Sequence, residues 1–372
     1  MTAFDNYKSL LKDTVIRGNV TKEESTNRKA SILGLIKDFC PQKLFRYRTC
    51  NEYNFDALLN DRIYFNAPIY FNDPHDCLAY IDMEKVYSLL NQIGSVDSIN
   101  MLVYLRNGGK VNSDSFSPNE EPLIQSAKNM FQNVGDTEFD LLGEFIKSLD
   151  SSCFDRVKKE LSSFIQENHS ANLKLAREET FIACLSETFD STLMWAHYAD
   201  YHKGFVLEYD TSDLVKVIGR CINCQEPCAS EHTVNLYPII YEDERYDATA
   251  YEIETLTWRA GHCFFGLSEP FCLPDQLFYI KSNTYKGLDW EYEKEWRLIY
   301  TCRQGHPAKK YEVVKPKAIY FGSQISESNK RIILKLIDGK EIPIYEMYAD
   351  DSNKQYALSF RPVEAVTQKE QK

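Results

Sequence analysis

The stretch that decides the fold is Trp290-Glu291-Tyr292-Glu293-Lys294-Glu295-Trp296-Arg297-Leu298. Read as a β-strand, its period-two alternation puts Trp290, Tyr292, Trp296 and Leu298 on a buried face. Glu291, Glu293, Glu295 and Arg297 then share the other face. Same-face neighbours on a strand lie about 7 Å apart, so at least one of these carboxylates has a raised pKa unless a cation compensates. An edge strand showing charge to water is the plainer reading. Solvated strands, however, mix their charges rather than stack acids beside two tryptophans, so the row reads as the wall of an active-site cleft.

Working outward, short alternating runs predict further strands at Leu44–Arg48, Arg62–Phe65, Thr180–Leu185, Gly204–Tyr209, Val234–Tyr241, Trp290–Thr301, Ala318–Phe321, Ile342–Tyr348 and Tyr356–Arg361. Helical spacing covers 191–200, 248–260, 274–281 and 326–337. Thr49 and Glu52 have capping-box spacing, which starts a helix that turns Phe55, Leu58 and Leu59 inward. Strands and helices mix without regular βαβ alternation. The fold class is therefore α+β, with a mainly antiparallel mixed sheet as its core.

Two helices fill residues 1–42, ending at Pro41 after Ile32, Leu33, Leu35, Ile36 and Phe39. Residues 43–82 and 179–366 form the α+β core. Between them, 83–178 is a large helical insertion or lid, with amphipathic runs near 84–92, 95–106, 120–132, 137–149 and 151–167.

The 372 residues are enough for two ordinary domains or one core with an insertion. No run approaches the roughly 20 apolar residues of a membrane helix, and Met1 to Asp13 lacks a basic region followed by an apolar one. A cytoplasmic protein is expected. Its 11 cysteines then read as thiols, core residues or metal ligands rather than disulfides. The net charge of −12 argues against broad electrostatic attachment to nucleic acid, but not against nucleic acid as a specific substrate.

Two further clusters carry chemistry. Phe181-Ile182-Ala183-Cys184-Leu185-Ser186-Glu187-Thr188 is an apolar strand ending in hydroxyls, and Trp195, His197, Tyr198, Tyr201 and His202 follow it. Trp195 and Met194 read as core. His197 and Tyr198 need polar partners if buried, and an imidazole beside a phenol suits acid–base work. Cys221, Cys224, Cys228 and His232 supply four zinc-type ligands within a short span, either a tetrahedral structural site or free thiols in a loop. There is no P-loop, no GxGxxG after a strand, no HExxH and no GxSxG. A nuclease of the D…ExK type needs an acid two places before the lysine, and Lys294 has Tyr292 there.

Four motifs together resemble the bacterial domain of unknown function 2971: Phe45-Arg46-Tyr47-Arg48, Phe71-Asn72-Asp73-Pro74, Met194-Trp195-x-His197-Tyr198-x3-His202-x-Gly204 and Trp290-x2-Glu293-x-Glu295-x-Arg297. Their order is more distantly similar to ADP-ribosyltransferases of the Arg, Ser-x-Ser/Thr, Glu-x-Glu type. That resemblance implies an ADP-ribosyltransferase-like fold and NAD as substrate. Arg48 would contact NAD, with Arg46 competing for the role, and Ser186 and Thr188 would support the nicotinamide ribose. Glu295 would be catalytic and Glu293 would assist the acceptor. Tyr47, Asn72, Asp73, His197, Tyr198 and Arg297 complete the expected binding site. Cleaving the nicotinamide–ribose bond builds positive charge on the ribose, which a preorganised carboxylate stabilises.

The resemblance further implies a toxin or antiviral defence effector that modifies nucleic acid or protein, together with defence-system partners. Two other readings stay open. One is a metal-dependent nuclease or phosphodiesterase, with Asp73, Asp76 and the glutamate row on Mg²⁺. The other is a non-catalytic nucleotide-sensing module.

Overall fold

The computed structural model describes residues 2–93, 151–215, 235–255, 273–301, 311–352, 354 and 356–363. The expected helices near 95–106, 120–132 and 137–149 lie outside these, as do Cys221, Cys224, Cys228 and His232. The described strands are β1 (Lys43–Arg48), β2 (Arg62–Tyr64), β3 (Thr180–Ser186), β4 (Phe205–Asp210), β5 (Asn235–Pro238), β6 (Ile240–Glu242), β7 (Tyr285–Gly287), β8 (Glu295–Thr301), β9 (Tyr311–Val313), β10 (Ala318–Phe321), β11 (Ile344–Ala349) and β12 (Leu358–Pro362).

Eight of them form one sheet in the order β12-β11-β10-β4-β1-β3-β8-β5, antiparallel except for the parallel pair β10 and β11. The fold is thus α+β around a mixed, mainly antiparallel sheet. The predicted strand Val234–Tyr241 divides at Ile239: β5 stays in this sheet, while β6 pairs in parallel with β7.

The sheet has an apolar layer on each face. Leu44, Ala183, Leu185, Leu207, Trp296 and Leu298 belong to the main core. Tyr7, Leu11, Ile32 and Ile36 of the N-terminal helices Ala3–Asp13 and Lys22–Ile36 join the same core, and Phe39 lies 5.9 Å from Trp296. Phe45 and Tyr47, alternating with Leu44 on β1, pack instead with Trp195, Val206, Tyr320 and Met347. Trp195 sits on the short helix Thr192–Tyr198, whose N-cap Ser191 accepts from the Met194 amide.

β1 and β3 meet only at Phe45 and Ser186. Beyond that pair the strands part, and Asn66 bridges to Ile182 on the edge of β3 opposite β8. The helix Ser151–Glu179 runs straight into β3 and packs on the helix Met83–Ile93 through Ile165 and Val86.

Two local expectations are corrected. Asn51, not Thr49, caps the helix Glu52–Leu59, its side chain accepting from the Asn54 amide, while Thr49 accepts from the Asn54 side chain. Leu59 is exposed, because the helix ends there and its buried stripe closes at Leu58.

Candidate active site

β8 begins at Glu295, not at Trp290. Leu288–Glu293 is a 3₁₀ turn, and Lys294 closes it with φ +44°. The left-handed turn breaks the alternation that the sequence suggests. Glu291 is left exposed on the turn. Glu293 and Glu295 still converge, one from the turn and one from the strand, on the ammonium of Lys286 from β7. Its Nζ lies 2.5 Å from Glu293 Oε2 and 3.0 Å from Glu295 Oε2.

Behind them Arg297 is fully buried. Its Nε donates to Glu295 Oε1 at 2.7 Å, and Nη1 and Nη2 form a bidentate pair with Asp76 at 2.9 and 2.6 Å. Nη1 also reaches the Asn283 carbonyl and Cys77 Sγ. A planar guanidinium suits this fork, and a buried charge of this kind requires it. Register explains the convergence. Cys184 pairs with Arg297 and Ser186 with Glu295, so these four share one face of the sheet.

Burial acts on all these groups, but neighbours decide the outcome. Burial would raise Glu295, yet Arg297 and Lys286 outweigh it and hold its carboxyl well below the usual range. Burial and the Glu295 charge raise Glu293, and Lys286 only partly offsets them. Burial would lower Lys286, but Glu295, Asp76 and Glu293 push it upward. Asp76, Glu293 and Glu295 face Lys286 and Arg297, so the ionised cluster carries a net charge of −1.

Glu293 is also the member nearest the surface residues. Tyr198 Oη donates to its Oε1 at 2.5 Å and accepts from Asn72 Nδ2 at 3.3 Å. His197 is exposed, with Nδ1 2.8 Å from Tyr292 Oη. Trp290 lies over Lys286, 4.9 Å from Nζ to the ring centre. Asn72, His197, Tyr198, Trp290 and Tyr292 thus form a largely aromatic rim above a buried charge cluster.

The remaining expected residues take other positions. Arg46 and Arg48 are one and three places from Phe45, which shares the Glu295 face through Ser186, so strand alternation sends both arginines to the opposite side. Arg46 donates to the Tyr64 carbonyl and Arg48 to the Tyr47 carbonyl, and neither bonds a glutamate among the described residues. Tyr47 does face the site side, but its hydroxyl is engaged by the Thr188 carbonyl. Ser186 Oγ donates to the Glu293 carbonyl at 2.6 Å and accepts from the Thr188 amide, so it fixes the turn rather than opening to a ligand. The Thr188 hydroxyl is buried without a hydrogen-bond partner among the described residues. Asp73 is buried and accepts from the His75 amide.

The cluster does not fit a divalent cation. Among the described residues no group of three or more His, Cys, Asp or Glu side chains is arranged to hold a metal, and Asp76, Glu293 and Glu295 already surround Lys286 and Arg297. Sequence reasoning missed Lys286, which lies in a three-residue strand too short for any periodicity. It also weighed Asp76 only as a metal ligand. Tyr241, whose hydroxyl accepts from the Glu295 amide, gave no signal.

Residues 194–298 match the family described as Protein of unknown function (DUF2971), which supports the nearer of the two resemblances. The match spans His197, Tyr198, Lys286, Glu293, Glu295 and Arg297, most of the cluster. Neither the curated proteins nor the solved structures contain a match. No helix among the described residues is long and apolar enough to cross a membrane.

Proposed function

We propose that the chain is an ADP-ribosyltransferase-like enzyme that breaks the nicotinamide–ribose bond of NAD, with Glu293 as the reacting carboxylate. The observation that carries this reading is a net-negative charge cluster whose Glu293 lies beneath an aromatic rim. NAD offers such a site a positively charged flat ring, and bond breaking moves that charge onto the ribose.

In this reading the bond from C1′ to the pyridine nitrogen breaks, and its electron pair neutralises the leaving ring. Glu293 faces the cationic C1′. The acceptor's nucleophile bonds to C1′, and its proton passes to Glu293. Tyr198, hydrogen-bonded to Glu293 and Asn72, orients the carboxylate, and Trp290, Tyr292 and His197 offer ring faces to the nicotinamide. Glu295, which the resemblance makes catalytic, has both carboxylate oxygens held by Arg297 and one also by Lys286, so its role is to hold the cations. The arginines of β1 have no part. The acceptor is a macromolecule, nucleic acid or protein, as expected of a toxin or defence effector.

The test is nicotinamide release from labelled NAD in cell extract. Glu293→Gln should lower it by about 10²-fold or more while leaving the unfolding midpoint no lower than the parent's. Equal release by the parent and Glu293→Gln sinks the reading. NAD binding without release points instead to a sensing module.

A further inference from the structure

We infer that Lys286 is the positioning residue of this site: one ammonium shared between Glu293 and Glu295 keeps the Glu293 carboxylate turned to the rim. The kinetic part of this inference rests on the reading of Glu293 as the reacting group, but the structural part does not.

Lys286 is anchored from both sides. Its backbone lies in β7, where it pairs with Tyr241 of β6. Its stem and head are buried, with Trp290 closing the solvent side. Every element packed around it contributes a polar group. The loop after β2 supplies Asp76, 3.8 Å from Nζ. The 3₁₀ turn supplies Glu293, β8 supplies Glu295 and Arg297, β6 supplies the Tyr241 hydroxyl, and β3 supplies the Cys184 thiol beside Glu295. Beyond Glu293 stands Tyr198.

Arg297 directs its donors at Asp76, Glu295, Cys77 and the Asn283 carbonyl, all on the deep side. Lys286 is therefore the cation that touches Glu293 among the described residues. Without its charge, Glu293 and Glu295 face each other with nothing between them. Like charges in a buried site cannot both ionise, so the proton goes to the member lacking a second cation. That member is Glu293, and a protonated Glu293 neither accepts a proton nor stabilises a ribosyl cation.

The experiment compares the parent, Lys286→Met, Lys286→Arg and the double variant Lys286→Met/Glu295→Gln. In the pH profile of nicotinamide release, the acid limb of Lys286→Met should move to higher pH by about tenfold or more in proton concentration. Lys286→Arg restores a cation, and the double variant removes the opposing charge, so both should bring the limb back. A residue that merely filled space would not be rescued by deleting a carboxylate. The second measurement needs no turnover: isotope-edited infrared titration of protein labelled with ¹³C-glutamate, the Glu293 band identified by subtracting Glu293→Gln. The protonated carboxyl band of Glu293 should persist to higher pH in Lys286→Met. If Lys286→Met does not fold, the double variant and Lys286→Arg carry the comparison, and parent-like limbs and bands in both support the inference. A Glu293 titration that is the same in the parent and Lys286→Met, or one that stays displaced in both Lys286→Arg and the double variant, overturns it. A parent that releases no nicotinamide but keeps the Lys286-dependent titration overturns the proposed function alone.

Discussion

Arg297 and Glu293 are held by the same cluster yet should respond to substitution in opposite ways. Arg297 is fully buried and its bidentate partner Asp76 nearly so; removing the guanidinium leaves Asp76 with only the longer 3.8 Å contact to Lys286. Arg297→Met is expected to cost about 3–5 kcal/mol, measured as the loss in urea-unfolding free energy. Glu293 behaves differently because burial and Glu295 raise it. An acid that binds protons more tightly when folded contributes stability that is complete below the unfolded value and is lost as pH rises through the folded one. Glu293→Gln should therefore gain on the parent as pH rises above the ordinary carboxylate range. A difference that shrinks with pH contradicts the assignment. At this scale the sequence named Glu293, Glu295 and Arg297 as one group but mistook why they meet. Period-two alternation is local, whereas their meeting depends on the left-handed backbone of Lys294 and on a lysine from another strand.

At the scale of elements, the helix Thr192–Tyr198 carries two rim residues and ends in an unusual turn. Asp200, Tyr201 and His202 have φ of +47°, +51° and +67°, a left-handed run of non-glycine residues that costs about 1 kcal/mol or more each. Close packing holds the turn in place. The His202 ring stacks on Trp195, and the Gln324 amide donates to the His202 carbonyl. Gly204 and Gly322 let backbone approach backbone here, since a Cβ would collide with the Arg48 carbonyl oxygen at one and the His202 carbonyl oxygen at the other. Gly204→Ala and Gly322→Ala should each destabilise by about 1–3 kcal/mol in urea unfolding and, under the proposed function, lower NAD affinity through Tyr198. A variant with the parent's midpoint would show that the turn can relax. The helix itself was legible from its spacing over 191–200, with Met194 and Trp195 read as core. Its end was not, because the turn depends on contacts with β1 and β10 rather than on its own residues.

At the scale of the whole molecule, the N-terminal helices are part of the core. Besides their apolar contacts, Lys281 Nζ bonds the Thr14 carbonyl and Asp275, whose other oxygen accepts from the Ile16 amide. Arg17 pairs with Glu254 on the helical segment 249–255. Burial pushes Glu254 up to about 7, against the opposing pull of Arg17. The same linkage predicts stability on the order of 2 kcal/mol, present below the ordinary glutamate value and lost as pH rises towards 7. Unfolding of the parent and Glu254→Gln at pH 5 and pH 7 checks this, the parent alone showing that added loss. Equal slopes would refute it. The α+β class and the strand-rich core were readable from hydrophobic spacing. Strand order was not, because alternation says which face is buried but nothing about which strand lies beside which.

Asp76 and Arg297 are separated by 221 positions along the chain. During synthesis the carboxylate therefore leaves the ribosome long before its guanidinium exists, and it waits in water while most of the chain is made. Such distant closures are slow and come late in folding. The nascent chain is expected to carry no assembled charge cluster until β8 has emerged, so under the proposed function it could not act on NAD during its own synthesis.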